Sequence, residues 1–291
     1  ANKQRIDPVH AYRSARTLPV ISEVHDLISF RSLYEITGSQ LQSFNSIYQL
    51  YVDKKAGRLE NATDFLMIPE YITYILTGKK VKEYTNASTT GLMDVKTNTF
   101  SQKIINTLGL PEKLFQDLAR PGHIVGNLTK AVQKEVGGNI KVVLCASHDT
   151  ASAVEGIDNL GAHPYLSSGT WSLLGVKIAK GITNEKAETA NFTNEYGPNY
   201  IRFQKNIMGL WILQQLSIEL NIPFPKMRKL AKESTYSEIF DVNDQRFLSP
   251  PKMSVAISEY FKEHKRPLPQ SNGDLSRTIH YSLAHSYKDA L

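Results

Sequence analysis

The chain is predicted to adopt an α/β fold, and three observations carry that reading. Short apolar runs ending in small polar turns, Lys141 to Ala146 and Tyr165 to Ser168, have the length and content of strands. Segments of helical apolar period interleave with them, as in Phe65, Ile68, Tyr71, Ile72, Ile75 and Leu76. The 291 residues, 41% hydrophobic and 21% charged, suffice for two domains of ordinary size with a soluble, globular composition.

Residues 1–30 are mixed in character. From Asp64 to Thr77 the apolar spacing predicts a helix closed by Gly78, and Pro69 sits early enough for the helix to begin there. Ser101 to Leu108 reads as a second helix ending at Gly109, and a shorter third starts near Pro111. Pro121-Gly122 makes a turn before a short strand, Val125 to Leu128. Residues 129–136 read as a helix, Lys141 to Ala146 as a buried strand, and the residues after Asp149 as a brief helix. The turn-rich stretch Asn159 to Pro164 is the expected boundary, dividing the chain into domains 1–158 and 159–291. A hairpin of Tyr165–Ser168 and Trp171–Ile178 follows. Beyond it comes a long amphipathic helix from Asn206 to Leu220, with Asn206 as its cap. Two or three further helices fill the remainder. The chain opens on Ala1 and stops within a helical segment, so it is expected to be part of a longer protein.

A net charge of +6 and a pI near 9.1 suit a binder of anionic small molecules. No Lys/Arg block is dense enough to predict nucleic-acid binding, and no apolar run is long enough to span a membrane. The single cysteine, Cys145, excludes an internal disulfide and suits a reducing, cytoplasmic setting. It is expected to be buried in its strand. The sequons at Asn61, Asn86, Asn127 and Asn191 read as chance matches.

Two motifs can carry chemistry. In Ser147-His148-Asp149-Thr150 a strand runs into a helix start. Asp149 can cap that helix by accepting a backbone N–H, or act as a general base where α/β proteins hold ligands, and one carboxylate can do both. His148 is either a sugar-hydroxyl donor or a structural histidine, and Thr150 either a substrate contact or filler of the first turn. In Ser167-Ser168-Gly169-Thr170 a hairpin tip lacks a Cβ at Gly169, which lets backbone N–H groups approach a phosphate or simply makes a tight turn. Gly209, one turn into the helix expected from Asn206, marks a close approach, and Trp211 beside it reads as core. An isolated carboxylate followed by a Gly-Thr turn suits deprotonation of a hydroxyl beside a nucleotide phosphate. That is the chemistry of a kinase for a small polyol or sugar.

These residues resemble the FGGY carbohydrate kinases. The resemblance rests on Ser147 to Val154, Tyr165 to Gly175 and Lys205 to Gln214, supported by Phe44 to Leu50, Leu76-Thr77-Gly78 and Glu83 to Thr90. It covers essentially the whole chain, and the wording of the second and third segments is nearest the rhamnulokinase branch. It implies a two-domain actin-like ATPase (ribonuclease H-like) fold, present as an incomplete chain lacking its N-terminal and C-terminal parts. Residues 1–158 would be the remainder of the sugar-binding domain and 159–291 the first part of the nucleotide-binding domain. The implied reaction is ATP-dependent phosphorylation of L-rhamnulose at its C1 hydroxyl, with Mg²⁺, in L-rhamnose catabolism. Asp149 would be the proton acceptor, with His148, Asp149 and Thr150 at the sugar and Gly169, Thr170, Asn206 and Gln214 at ATP. The resemblance assigns no metal ligand within this chain and implies little activity for these residues alone. Two other readings stay open: a kinase for a related ketose such as L-fuculose, and a non-catalytic actin-like sugar or nucleotide sensor or inactive fragment.

Overall fold

Polar caps and left-handed glycines set where the helices start and stop, in a computed structural model that describes residues 5–157 and 163–291. Helices α1 (Leu18–Leu27), α2 (Phe30–Thr37) and α3 (Ser46–Lys55) come first, and Ser29 opens α2 by accepting the Ser32 N–H at 3.2 Å. Helix α4 (Ile68–Thr77) begins beside Pro69, the later of the two starts the sequence offers. It ends on Gly78, whose φ of 72° is left-handed and needs a residue without Cβ.

Short elements follow: β1 (Lys82–Glu83), α5 (Tyr84–Ala87), β2 (Met93–Asp94), β3 (Thr99–Phe100), α6 (Gln102–Thr107) and β4 (Leu118–Ala119). Ser101 caps α6 through the Ile104 N–H. Then come β5 (Ile124–Asn127), α7 (Lys130–Val136), β6 (Lys141–Val143) and α8 (Asp149–Glu155). β1 pairs in parallel with β4, while β2 with β3 and β5 with β6 form antiparallel pairs.

The second half contains β7 (Tyr165–Ser168), β8 (Trp171–Ile178), α9 (Glu185–Thr189), β9 (Thr193–Tyr196) and β10 (Ile201–Met208). These strands make a sheet of order β7-β8-β10-β9. Helices α10 (Trp211–Leu220), α11 (Phe224–Glu233), α12 (Met253–Glu263) and α13 (Asn272–Ala290) complete the chain. Ser271 and Asp274 cap α13 reciprocally, each side chain accepting the other's backbone N–H at 3.1 Å. No helix among the described residues is long and apolar enough to cross a membrane.

The residues cluster into two compact units, Ala1–Pro164 with Val176–Gln204, and Tyr165–Gly175 with Lys205–Leu291. Unit limits therefore fall inside β8 and β10 as well as close to residue 158. In the first unit, Val24, Leu33, Ile47, Leu92 and Ile104 belong to one core, and Tyr84, Met93, Tyr196 and Ile201 to a smaller one. In the second, Ile207 and Leu216 pack with Phe247, Ile257, Phe261 and Ile279.

Three local expectations are corrected. The strand expected from Lys141 to Ala146 ends at Val143 and is not buried throughout, and Cys145 is exposed. Among the described residues β6 pairs with β5 alone, and Val143 is 50% exposed. The apolar stripe Ile68, Ile72 and Ile75 of α4 is likewise more than half exposed. Asn206 does not cap a helix: it lies in β10, and the helix starts at Trp211. The expected boundary stretch Asn159 to Pro164 lies, through residue 162, outside the described residues.

Candidate functional site

Glu83, 1% exposed at the end of β1, organises the approach to the Ser147-His148-Asp149-Thr150 motif. Its carboxylate accepts the Thr85 and Asn86 N–H groups (2.8 and 3.0 Å) at the start of α5, and the Thr85 hydroxyl at 2.6 Å. The same carboxylate accepts the Ser147 N–H at 3.1 Å and the Ser147 hydroxyl at 2.7 Å. A buried charge with this many donors is compensated, and it fixes the residue directly before His148.

His148 occupies the N-cap position of α8, with φ −73° and ψ 115°, and Asp149 is the first helical residue. The Asp149 Oδ1 accepts the Thr150 N–H at 2.6 Å and lies 3.3 Å from the Thr150 hydroxyl. The capping reading therefore holds in part: the carboxylate serves a first-turn N–H, from one position later than the cap. It remains 97% exposed, so the same group also faces outward. Thr150 is buried, its hydroxyl directed at Asp149.

Behind His148 sits a charged pair that the sequence reading missed. The β9–β10 register sets Glu195 opposite Arg202, and Arg202 Nη2 donates to Glu195 Oε2 at 3.1 Å. Gln204 donates to the same oxygen at 3.0 Å. His148 Nδ1 lies 2.9 Å from Arg202 Nη2 and 3.4 Å from Glu195 Oε2, and its Nε2 lies 4.0 Å from Asp149 Oδ1. Burial holds the His148 pKa below the ordinary imidazole range. Arg202 pushes the same way, against Glu195, Asp149 and Glu83. The signal that would have found the pair is the turn Gly197-Pro198-Asn199-Tyr200, which closes a hairpin placing 195 against 202.

The remaining candidates lie in the second unit. The β7–β8 hairpin closes with Ser168 opposite Ser172, leaving Gly169 and Thr170 exposed at the tip. Gly169 donates its N–H to the Trp171 carbonyl at 2.8 Å, so that group is committed within the hairpin. The Leu210 N–H reaches Gly169 O at 2.9 Å, and the Gly209 and Trp211 N–H groups reach Thr170 O at 3.2 Å. A Cβ on Gly209 would fall 2.6 Å from Gly169 O, so the close approach marked by Gly209 is to the hairpin tip itself. The structure thus joins Gly169 and Thr170 to the start of α10. Gln214 lies one turn into α10, its N–H on Leu210 O at 2.8 Å, and Asn206 lies on β10.

Among the described residues, no cluster of three or more His, Cys, Asp or Glu side chains could hold a metal ion.

Residues 1–156 match the family model described as the N-terminal domain of the FGGY family of carbohydrate kinases. A rhamnulokinase of Oceanobacillus iheyensis is 42% identical over 295 residues, covering 100% of this chain and 63% of its own length. One from Halalkalibacterium halodurans is 42% identical over 286 residues, covering 97% of this chain and 61% of its own. The chain thus spans about three fifths of the length of the curated relatives it matches. Two solved structures from Lactobacillus acidophilus share the fold at 18% identity: a ligand-bound xylulose kinase with a TM-score of 0.72 and a gluconate kinase at 0.71. Each alignment covers 96% of this chain and 58% of the other.

Proposed function

The chain belongs to the FGGY family of carbohydrate kinases, and on that premise we propose that the protein transfers a phosphoryl group from ATP to the C1 hydroxyl of L-rhamnulose. The observation that carries the reading is the Asp149 carboxylate: outward-facing, held at the first turn of α8 by the Thr150 N–H, and beside a histidine ring. Similarity to proteins named rhamnulokinase favours this ketose over L-fuculose.

In this reading the sugar is held by His148, Asp149 and Thr150. Asp149 orients the attacking hydroxyl and takes its proton as the oxygen–phosphorus bond forms. A loose phosphoryl-transfer transition state asks its base mainly for orientation, so a carboxylate engaged by a first-turn N–H is adequate. ATP is a substrate of the second unit, where Gly169, Thr170, Asn206 and Gln214 make its contacts. Bound Mg²⁺ supplies charge neutralisation at the phosphates. Residues 1–158 form part of the sugar-binding domain and 159–291 part of the nucleotide-binding domain. The single cysteine and an ATP-dependent reaction favour a cytoplasmic setting.

Coupled ADP release by the full-length protein with Mg-ATP and L-rhamnulose tests this, with L-fuculose, D-xylulose and glycerol run alongside. Turnover should be selective for L-rhamnulose, and Asp149→Asn should lower kcat by about 10²–10⁴-fold. Sugar binding without ADP formation would turn the reading into a sensor. Preference for L-fuculose would move the substrate.

A further inference from the structure

His148 is held by a buried pair for which the phosphoryl-transfer proposal has no use. Arg202 has no exposed surface, and its Nη2 touches both His148 Nδ1 at 2.9 Å and Glu195 Oε2 at 3.1 Å. A guanidinium carries only donors and stays charged. The ring nitrogen facing it must therefore accept, which leaves Nδ1 bare and puts the imidazole proton on Nε2. The competing arrangement, an Nδ1–H directed at Glu195 Oε2 3.4 Å away, would set two donors against each other across 2.9 Å. Glu195 is meanwhile occupied by the Arg202 and Gln204 donors. The Nε2 edge lies toward Asp149, 4.0 Å from Oδ1. Among the described residues the Arg202 Nε is buried without a hydrogen-bond partner, a penalty that a strand residue with only a packing role would avoid.

We propose that Arg202 and Glu195 are positioning residues that lock His148 as the neutral Nε2–H tautomer. His148 is then a fixed donor to a substrate oxygen beside Asp149, and it is barred from acting as a second base. The catalytic consequence rests on the kinase reading above, whereas the tautomer does not. The charged groups facing the ring are Arg202 on β10, Glu195 on β9, Asp149 on α8 and Glu83 on β1, and burial outweighs the three carboxylates in holding it neutral.

Long-range ¹H–¹⁵N correlation spectra of the histidine-labelled protein at neutral pH read which ring nitrogen carries the proton. There are eight histidines, and His148→Gln assigns the signals of interest. The expected result is a proton on Nε2 alone in the parent, retained in Arg202→Lys, with mixed tautomers or a charged ring in Arg202→Met. In ADP release, Arg202→Met should lose roughly tenfold or more in kcat/KM for the sugar, the size of one displaced donor. Its pH profile should gain an imidazole ionisation, and Arg202→Lys should recover most of the rate. A proton on Nδ1 or a doubly protonated ring in the parent overturns the lock, as does an unchanged ring in folded Arg202→Met. If that variant does not fold, the parent spectrum alone decides. The Nε2–H form without any turnover would keep the lock and sink the kinase reading; turnover with the wrong tautomer would do the reverse.

Discussion

A Cβ added at Gly209 would lie 2.6 Å from Gly169 O, 2.7 Å from Trp171 C and 2.8 Å from Ser172 N, all backbone atoms that cannot swing aside. Gly209→Ala should therefore destabilise the fold by about 1–3 kcal/mol, the range for overpacking a tight contact. Urea unfolding measures it, and an unchanged midpoint would show that the hairpin tip yields freely. A glycine in an otherwise apolar periodic stretch is conspicuous in a sequence, so this residue was legible, although its partner was not. Glu195 and Arg202 were the opposite case. A charged side chain in a strand reads as the solvent-facing one, Arg202 all the more so between Ile201 and Phe203, and only the hairpin register turns the two side chains toward each other and out of solvent.

At the scale of elements, α4 is tied to β1 through Glu70, which is 3% exposed and accepts the N–H groups of Met67 at 2.7 Å and Glu83 at 2.8 Å. Burial pushes its pKa up from 4.5 to about 7; those two N–H bonds and Lys82 pull it down, and Glu83 adds to the rise. With the folded value raised, the native state holds more protons than the unfolded chain between these limits, so stability falls as pH rises through that window. Stability measured by denaturant across this range should decline with pH in the parent and more shallowly in Glu70→Gln. Equal slopes would mean that Glu70 titrates as an ordinary carboxylate. The helix itself was readable from its period, its proline and its closing glycine. The destination of its apolar face was not, because periodicity reports which residues share a face and says nothing of what covers it.

For the whole molecule, the α/β class followed from interleaved strand and helix patterns, and the hairpin of β7 and β8 stood at its expected limits. The sheet order β7-β8-β10-β9 was hidden. β9 buries all of Thr193, Asn194, Glu195 and Tyr196 and so shows no alternation, while the alternation Ile201-Arg202-Phe203-Gln204 that opens β10 misleads, because its polar members Arg202 and Gln204 are buried. The final residues of β10 were instead absorbed into the helical period of α10. Ile104 and Ile257, each 0% exposed, belong to separate cores that share no residue. Ile104→Ala and Ile257→Ala should each cost about 2–5 kcal/mol. Combined, they should add to within roughly 0.5 kcal/mol. A larger deviation in the double variant, measured by the same unfolding transition, would reveal coupling between the cores.

Cys145 is both exposed and the single cysteine of the sequence. A maleimide fluorophore would therefore attach at one address without any other thiol having to be removed. That address is four residues ahead of Asp149. The chain thus carries its own labelling handle, from which a change in emission can follow ligands arriving beside the carboxylate in real time.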